Sequence, residues 1–316
     1  MKEFESKQQS PVDTALQEHD VAAARQSSGS IAGTDAVPPQ PSPRPAAWWR
    51  RVSAMQWAAA CAVLAIVGMI VIFVSNGHGD MSSASTQTFT ANGVSFKMVR
   101  VEGGTFTMGA TSEQGSDADS DEKPAHSVTL SSYYIGETEV TQALWYAVMG
   151  AKPTSSKSWT TDYGLGDEYP AYYISWKDCE TFIAKLNSIT GKNFRFPTEA
   201  EWEYAARGGS KSRGYKYSGS NAIDEVAWYR DNSGSETHPV KGKSPNELGL
   251  YDMSGNVYEW CQDWYASYGS SSGSEGSVRV IRGGSWDLDA GFCRVSIRNY
   301  CTPSYSHYYF GLRLAL

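Results

Sequence analysis

Thiols, imidazoles and carboxylates are the side chains of this sequence that can carry chemistry, and their spacing limits which kinds. Of five cysteines, Cys61 lies inside an apolar run and reads as a small apolar residue, and Cys179 falls on an apolar helix stripe. Cys293 and Cys301 sit close to the C-terminal end, where a thiolate would be a nucleophile or a soft-metal ligand. His19, His78, His126, His238 and His307 are scattered, a distribution that does not support a histidine-bound iron centre. The run Asp117-Ala-Asp-Ser-Asp-Glu122 lacks the glycine and spacing of an EF-hand loop, so it reads as a solvated loop.

The stretch from Arg282-Gly-Gly-Ser-Trp286 to Gly311-Leu-Arg-Leu314 is richer in information. Gly283, Gly284, Trp286, Cys293, Arg294, Arg298, Pro303 and Gly311 read as a frame. Between them stand Asp287, Leu288, Asp289, Phe292, Ile297, Asn299, Tyr300, Cys301, Tyr305, His307, Tyr308 and Tyr309, with neither a helical period nor a clean strand alternation. Tyrosine, serine, asparagine and glycine are what recognition loops use, because an aromatic ring gives contact area at small entropic cost. Two readings stay open: a displayed ligand-binding surface over 286–309, or an irregular aromatic core segment whose hydroxyls bond backbone.

The elements that must position these residues follow from pattern. Residues 1–43 are rich in Gln, Ser, Ala and Pro, with Val37-Pro-Pro-Gln-Pro-Ser-Pro43, and read as a disordered tail. Residues 55–75 include the uncharged apolar run Trp57 to Val74, enough helix to cross a bilayer. Arg44, Arg50 and Arg51 precede it and no Lys or Arg follows until Lys97, which places the N-terminus in the cytoplasm and the rest in the periplasm or outside the cell. Residues 76–89 read as a flexible linker and 90–316 as one folded domain.

Within that domain the sequence predicts three capped helices: after Thr141 to Gly150, from Trp176 to Leu186 behind Ser175, and after Thr198 to Gly208, the last with the capping box Thr198/Glu201. Val94–Val101 and Val278–Ile281 read as strands among many glycines, serines and aromatics, which implies an α+β domain with low regular secondary structure. The net charge of −7 and the absence of a basic patch exclude a nucleic-acid partner.

Five motifs in order, Phe106-Thr-Met-Gly109, Glu139-Val-Thr141, Phe194-Arg-Phe-Pro-Thr-Glu-Ala-Glu-Trp-Glu-Tyr-Ala-Ala-Arg-Gly-Gly209, Gly249-Leu-Tyr-Asp-Met-Ser-Gly-Asn-Val-Tyr-Glu-Trp260 and Arg282-Gly-Gly-Ser-Trp286, resemble the formylglycine-generating enzyme (sulfatase-modifying factor) family. The resemblance covers roughly 90–316 and implies a C-type-lectin-like α+β fold. The family's enzymes oxidise a sulfatase cysteine with two copper-binding thiolates, at positions that correspond here to Leu288 and Cys293. With one thiol missing, the resemblance predicts no linear two-sulfur copper site and no copper-oxidase activity. It also implies a calcium site of Asp252 and Glu259 side chains with the Gly255 and Val257 carbonyls, for which bonds from those carboxylates to backbone amides are the alternative.

The terminal segment is also similar to the variable proteins of diversity-generating retroelements, which share this fold and rewrite their ligand-binding tail by adenine-directed mutagenesis of Asn codons. Randomising the first two bases of such codons never yields Lys, Glu, Gln, Met or Trp, and none of the twelve residues named above is of those types. The sequence therefore predicts a membrane-anchored, non-catalytic binding protein for an external protein or cell-surface ligand. Its rivals are an extracytoplasmic formylglycine-generating enzyme acting through Cys293, and an envelope assembly factor.

Overall fold

Helix boundaries fall where the caps put them. In the computed structural model, which describes residues 85–153, 158–269 and 276–316, helix α1 (Gln142–Met149) begins after Thr141, whose hydroxyl accepts from Leu144 N, and ends at the left-handed Gly150. Helix α2 (Trp176–Thr190) starts with a capping box between Ser175 and Asp178 and runs one turn beyond the expected Leu186 to Gly191. Helix α3 (Glu199–Ala206) carries the Thr198/Glu201 capping box. The apolar stripes of α1 and α2 meet where Trp145 stacks on Phe182, ring centroids 4.9 Å apart.

The strands form three small sheets. β1 (Thr86–Ala91), β2 (Val94–Val101) and β5 (Tyr133–Gly136) form an antiparallel sheet in the order β1-β2-β5. β3 (Gly104–Met108) pairs with β4 (His126–Leu130). β6 (Tyr258–Trp264), β7 (Arg279–Arg282), β8 (Asn299–Cys301) and β9 (Phe310–Gly311) form the third in the order β8-β7-β6-β9, with β6 and β9 parallel. The expected linker 76–89 is therefore too long at its far end. Thr86-Gln-Thr-Phe-Thr alternates as a half-buried strand, and Phe89 packs on Phe96 and Phe194.

Helix α3 lies at the centre, with Trp202, Ala205 and Ala206 in one cluster with Val101, Ile135, Met253, Cys261 and Val280. Residues 312–316 close the domain: Leu312 and Leu314 carbonyls accept from Val140 N and Gly136 N, and Ala315 bridges both Ile135 and Arg195. Among the described residues no helix is long and apolar enough to cross a membrane; the tail 1–43, the apolar run 55–75 and the linker's first part lie outside them.

Candidate functional site

The frame of the C-terminal segment is set by four buried arginines, each paired with a glutamate from elsewhere in the chain. Arg282 meets Glu203 and also donates to the carbonyls of Val295, Ser296 and Ile297. Arg294 forms a two-pronged pair with Glu122 at 2.6 and 2.8 Å. Arg298 does the same with Glu199 at 2.6 and 2.7 Å, and Arg313 with Glu259. Planar guanidinium forks suit such pairing. Glu199 and Glu203 stand one turn apart on α3, so a single helix holds two of the four.

Glu122 corrects the solvated-loop reading of residues 117–122: it is fully buried, and its carboxylate also accepts from Ser296 Oγ and Asp119 N. The acidic run contains a 3-10 turn that folds inward because Arg294 supplies a counter-charge no sequence spacing reveals. Burial raises the Glu122 pKa, but hydrogen bonds from Arg294 and Ser296 outweigh it and hold the group below the usual value.

Of the twelve residues read as displayed, half are buried in the folded chain: Leu288, Ile297, Asn299, Cys301, His307 and Tyr309. Tyr309 is 1 % exposed, packed edge-to-face on Tyr308 and Phe310. Ile297 and Asn299 turn inward because Arg282 and Arg298 pull the backbone on either side of them against α3. Asp287, Phe292, Tyr300, Tyr305 and Tyr308 are half-buried, and Asp289 is exposed in an ion pair with Arg230. The surface and core readings of the segment thus both apply, to different residues.

Tyr308 is the centre of an aromatic patch. It stacks on Tyr163 at 4.7 Å, lies 5.1 Å from Trp286 and 4.0 Å from His307, and donates its hydroxyl to Asp287 Oδ2 at 3.2 Å. Tyr173 meets it edge-on, and Tyr305 stacks on His307. Tyr173 holds a left-handed backbone, φ 56°, strain for a bulky residue, with its N–H donating to the His307 carbonyl. Sequence reasoning missed Tyr163 and Tyr173, which lie more than a hundred residues upstream and carry no periodic signal.

Cys293 is buried among Tyr217, Val226, Ala227 and Tyr229, and burial pushes its thiol up to about 12. Gly284 explains part of that enclosure: at φ 73° a Cβ there would stand 2.8 Å from Cys293 Sγ, so only glycine lets the turn pass so close. Leu288, 8 % exposed, brings no sulfur donor beside Cys293. The chain therefore does not fit the two-thiolate copper centre of the formylglycine-generating enzymes.

Of the expected calcium ligands, the Glu259 side chain pairs with Arg313 and the Asp252 charge acts on the same guanidinium. Glu259 accepts from Arg313 with both oxygens and from Trp202 Nε1 at 2.6 Å, while Asp252 accepts from Lys241 N at 2.8 Å. Gly255, at φ 78°, lies so near Trp228 that a Cβ would stand 2.2 Å from its carbonyl oxygen, and Val257 N donates to Glu139. Burial, with the Asp252 charge added, raises the Glu139 pKa well above normal, and burial lifts Asp252 to about 6. The charges of Glu139, Asp252 and Glu259 thus all act on the one buried Arg313 guanidinium. Among the described residues no group of three or more acidic, histidine or cysteine side chains is placed to hold a metal ion.

An α+β core whose C-terminal half is mostly loops and short strands pinned by buried charge pairs is a C-type-lectin-like domain of the formylglycine-generating type. The chain belongs to the sulfatase-modifying factor enzyme 1-like domain family, which matches residues 84–316. It is similar to the chaperone protein LppX of Paenibacillus barcinonensis, 36% identical over 65% of this chain and 83% of that protein. The formylglycine-generating enzyme of Streptomyces coelicolor is 30% identical over 69% of this chain and 88% of its own length. Among solved structures, Treponema denticola variable protein 1 superposes with a TM-score of 0.63 at 34% identity, covering 74% of this chain and 99% of that one.

Proposed function

We propose that this protein is a membrane-anchored, non-catalytic recognition protein that presents the half-buried side chains of its C-terminal segment to an external ligand. The observation that carries the reading is the replacement of the first copper thiol by Leu288 beside a Cys293 thiol that burial keeps protonated. The half-exposed Tyr163–Tyr308 stack supplies the recognition surface. Similarity to a Treponema variable protein and the Asn-codon set of the segment support diversification of that surface by a retroelement. The ligand would be a protein or another cell-surface molecule. The run 55–75 anchors the chain, with the N-terminus in the cytoplasm and the domain periplasmic or extracellular, and calcium at Asp252, Gly255, Val257 and Glu259 serves a structural role.

The test is chemical. Full-length protein loaded with Cu(I) is incubated with a sulfatase-motif peptide, and its cysteine is expected to stay unmodified by mass spectrometry. Aldehyde formation that Cys293→Ser abolishes would establish the enzyme instead. A second reading, an envelope assembly factor that docks a permanent partner on the same patch, is favoured by the relative named a chaperone. Co-purification of one stoichiometric partner from native membranes would select it.

A further inference from the structure

The aromatic patch is built from four chain segments that meet around Tyr308. Thr237 donates through both N–H and Oγ1 to the Tyr163 carbonyl, Ser233 Oγ donates to the Trp286 carbonyl, and Tyr173 N–H reaches the His307 carbonyl. Segments 158–169, 232–238, 286–292 and 302–309, with Tyr173 beside them, therefore meet at the patch. Their charges are all of one sign: Asp162, Asp167, Glu168, Glu236, Asp287 and Asp289, with no lysine or arginine among them. Arg230, at the margin, is engaged by Asp289 and by the Asp287 carbonyl, and His238 and His307 are the imidazoles nearby.

Aromatic faces edged by carboxylates attract a cation twice, through the ring quadrupole and through charge. Tyr308 adds geometry, since its hydroxyl holds the Asp287 carboxylate at the rim of the ring stack. Resting on the recognition reading above, we propose that this patch takes a lysine- or arginine-bearing segment of a partner protein, the cationic head lodging against Tyr163 and Tyr308 beside Asp287. Such a surface selects against acidic partners by repulsion, and a neutral glycan would gain nothing from its charge.

Random-peptide selection on the full-length protein tests this. Enriched peptides are expected to carry a lysine or arginine, and its replacement by norleucine or citrulline should weaken binding about ten-fold or more. Asp287→Asn and Tyr308→Ala should each weaken it comparably, Glu102→Gln, outside the four segments, should not, and raising salt should weaken it further. Enriched peptides without a cation that still depend on Tyr308, or glycan binding that competes for the patch, overturn the cationic partner and leave the recognition reading standing. Absence of enrichment, or binding indifferent to Tyr308→Ala, overturns both.

Discussion

Changing Glu122 to Gln keeps the shape of the side chain and removes its charge, which isolates the contribution of the Glu122–Arg294 pair. Arg294 is 1 % exposed and directs two nitrogens at Glu122, so the variant leaves a buried guanidinium facing an amide that must present a donor to it. Breaking one side of such a pair costs about 3–5 kcal/mol, and in a domain of this size that lowers Tm by roughly 6–20 °C. The double variant Glu122→Met/Arg294→Met should recover much of the loss, because it removes the stranded charge as well. Thermal denaturation followed by near-ultraviolet circular dichroism measures both. The pH dependence has a definite sign. The folded-state pKa of Glu122 lies below the ordinary 4.5, so its stabilisation is present at neutral pH and is lost as pH falls through the folded value. Glu122→Gln should flatten the acid limb of the stability curve. A loss under about 1 kcal/mol at pH 7 with an unchanged acid limb would refute the view that this pair holds the segment.

Tyr309→Ala should destabilise the domain by about 3–5 kcal/mol, as for other buried aromatics, whereas Tyr305→Ala and Tyr308→Ala should cost clearly less; equal losses in urea unfolding would mean that the patch is core throughout. Cys293, with its thiol held near 12, should resist a thiol-specific reagent at pH 8 until the chain is unfolded, and rapid native labelling at that residue would contradict its enclosure. Chelation should lower Tm if calcium bridges Asp252 and Glu259, and Asp252→Ala should abolish that sensitivity; an unchanged melting curve would leave Arg313 and Lys241 as the counter-charges. Protease added to intact spheroplasts should digest the folded domain and spare the N-terminal tail, and protection of the domain would reverse the proposed orientation.

Local signals survived folding well. Thr141, Ser175 and Thr198 each begin a helix because capping is settled within four residues, and Gly150 and Gly191 end two of them for the same reason. Val94–Val101 became a strand as its pattern required, while the short β1 was hidden by its threonines and read as linker. The arginines of the terminal segment were legible as frame, but their partners were not, since Glu122 lies 172 residues from Arg294 and Glu199 lies 99 from Arg298. The same distance hid which tyrosines face outward: burial of Tyr309 and exposure of Tyr308 depend on Tyr163, Tyr258 and Phe310, and composition treats the two neighbours alike.

The closure of the domain by residues 312–316 has a consequence for how it is made. Arg313 donates to the Gly136 carbonyl across 177 residues, and β5 and Val140, just before α1, are hydrogen-bonded to the same closing strip. Until that strip arrives, the carboxylates around Arg313 have no guanidinium and the backbone groups of β5 lack one set of partners. Long-range closure of this kind is slow because the chain entropy is lost before the contacts repay it. A newly synthesised chain would therefore keep its aromatic core exposed until that strip docks, the stage at which aggregation competes with folding.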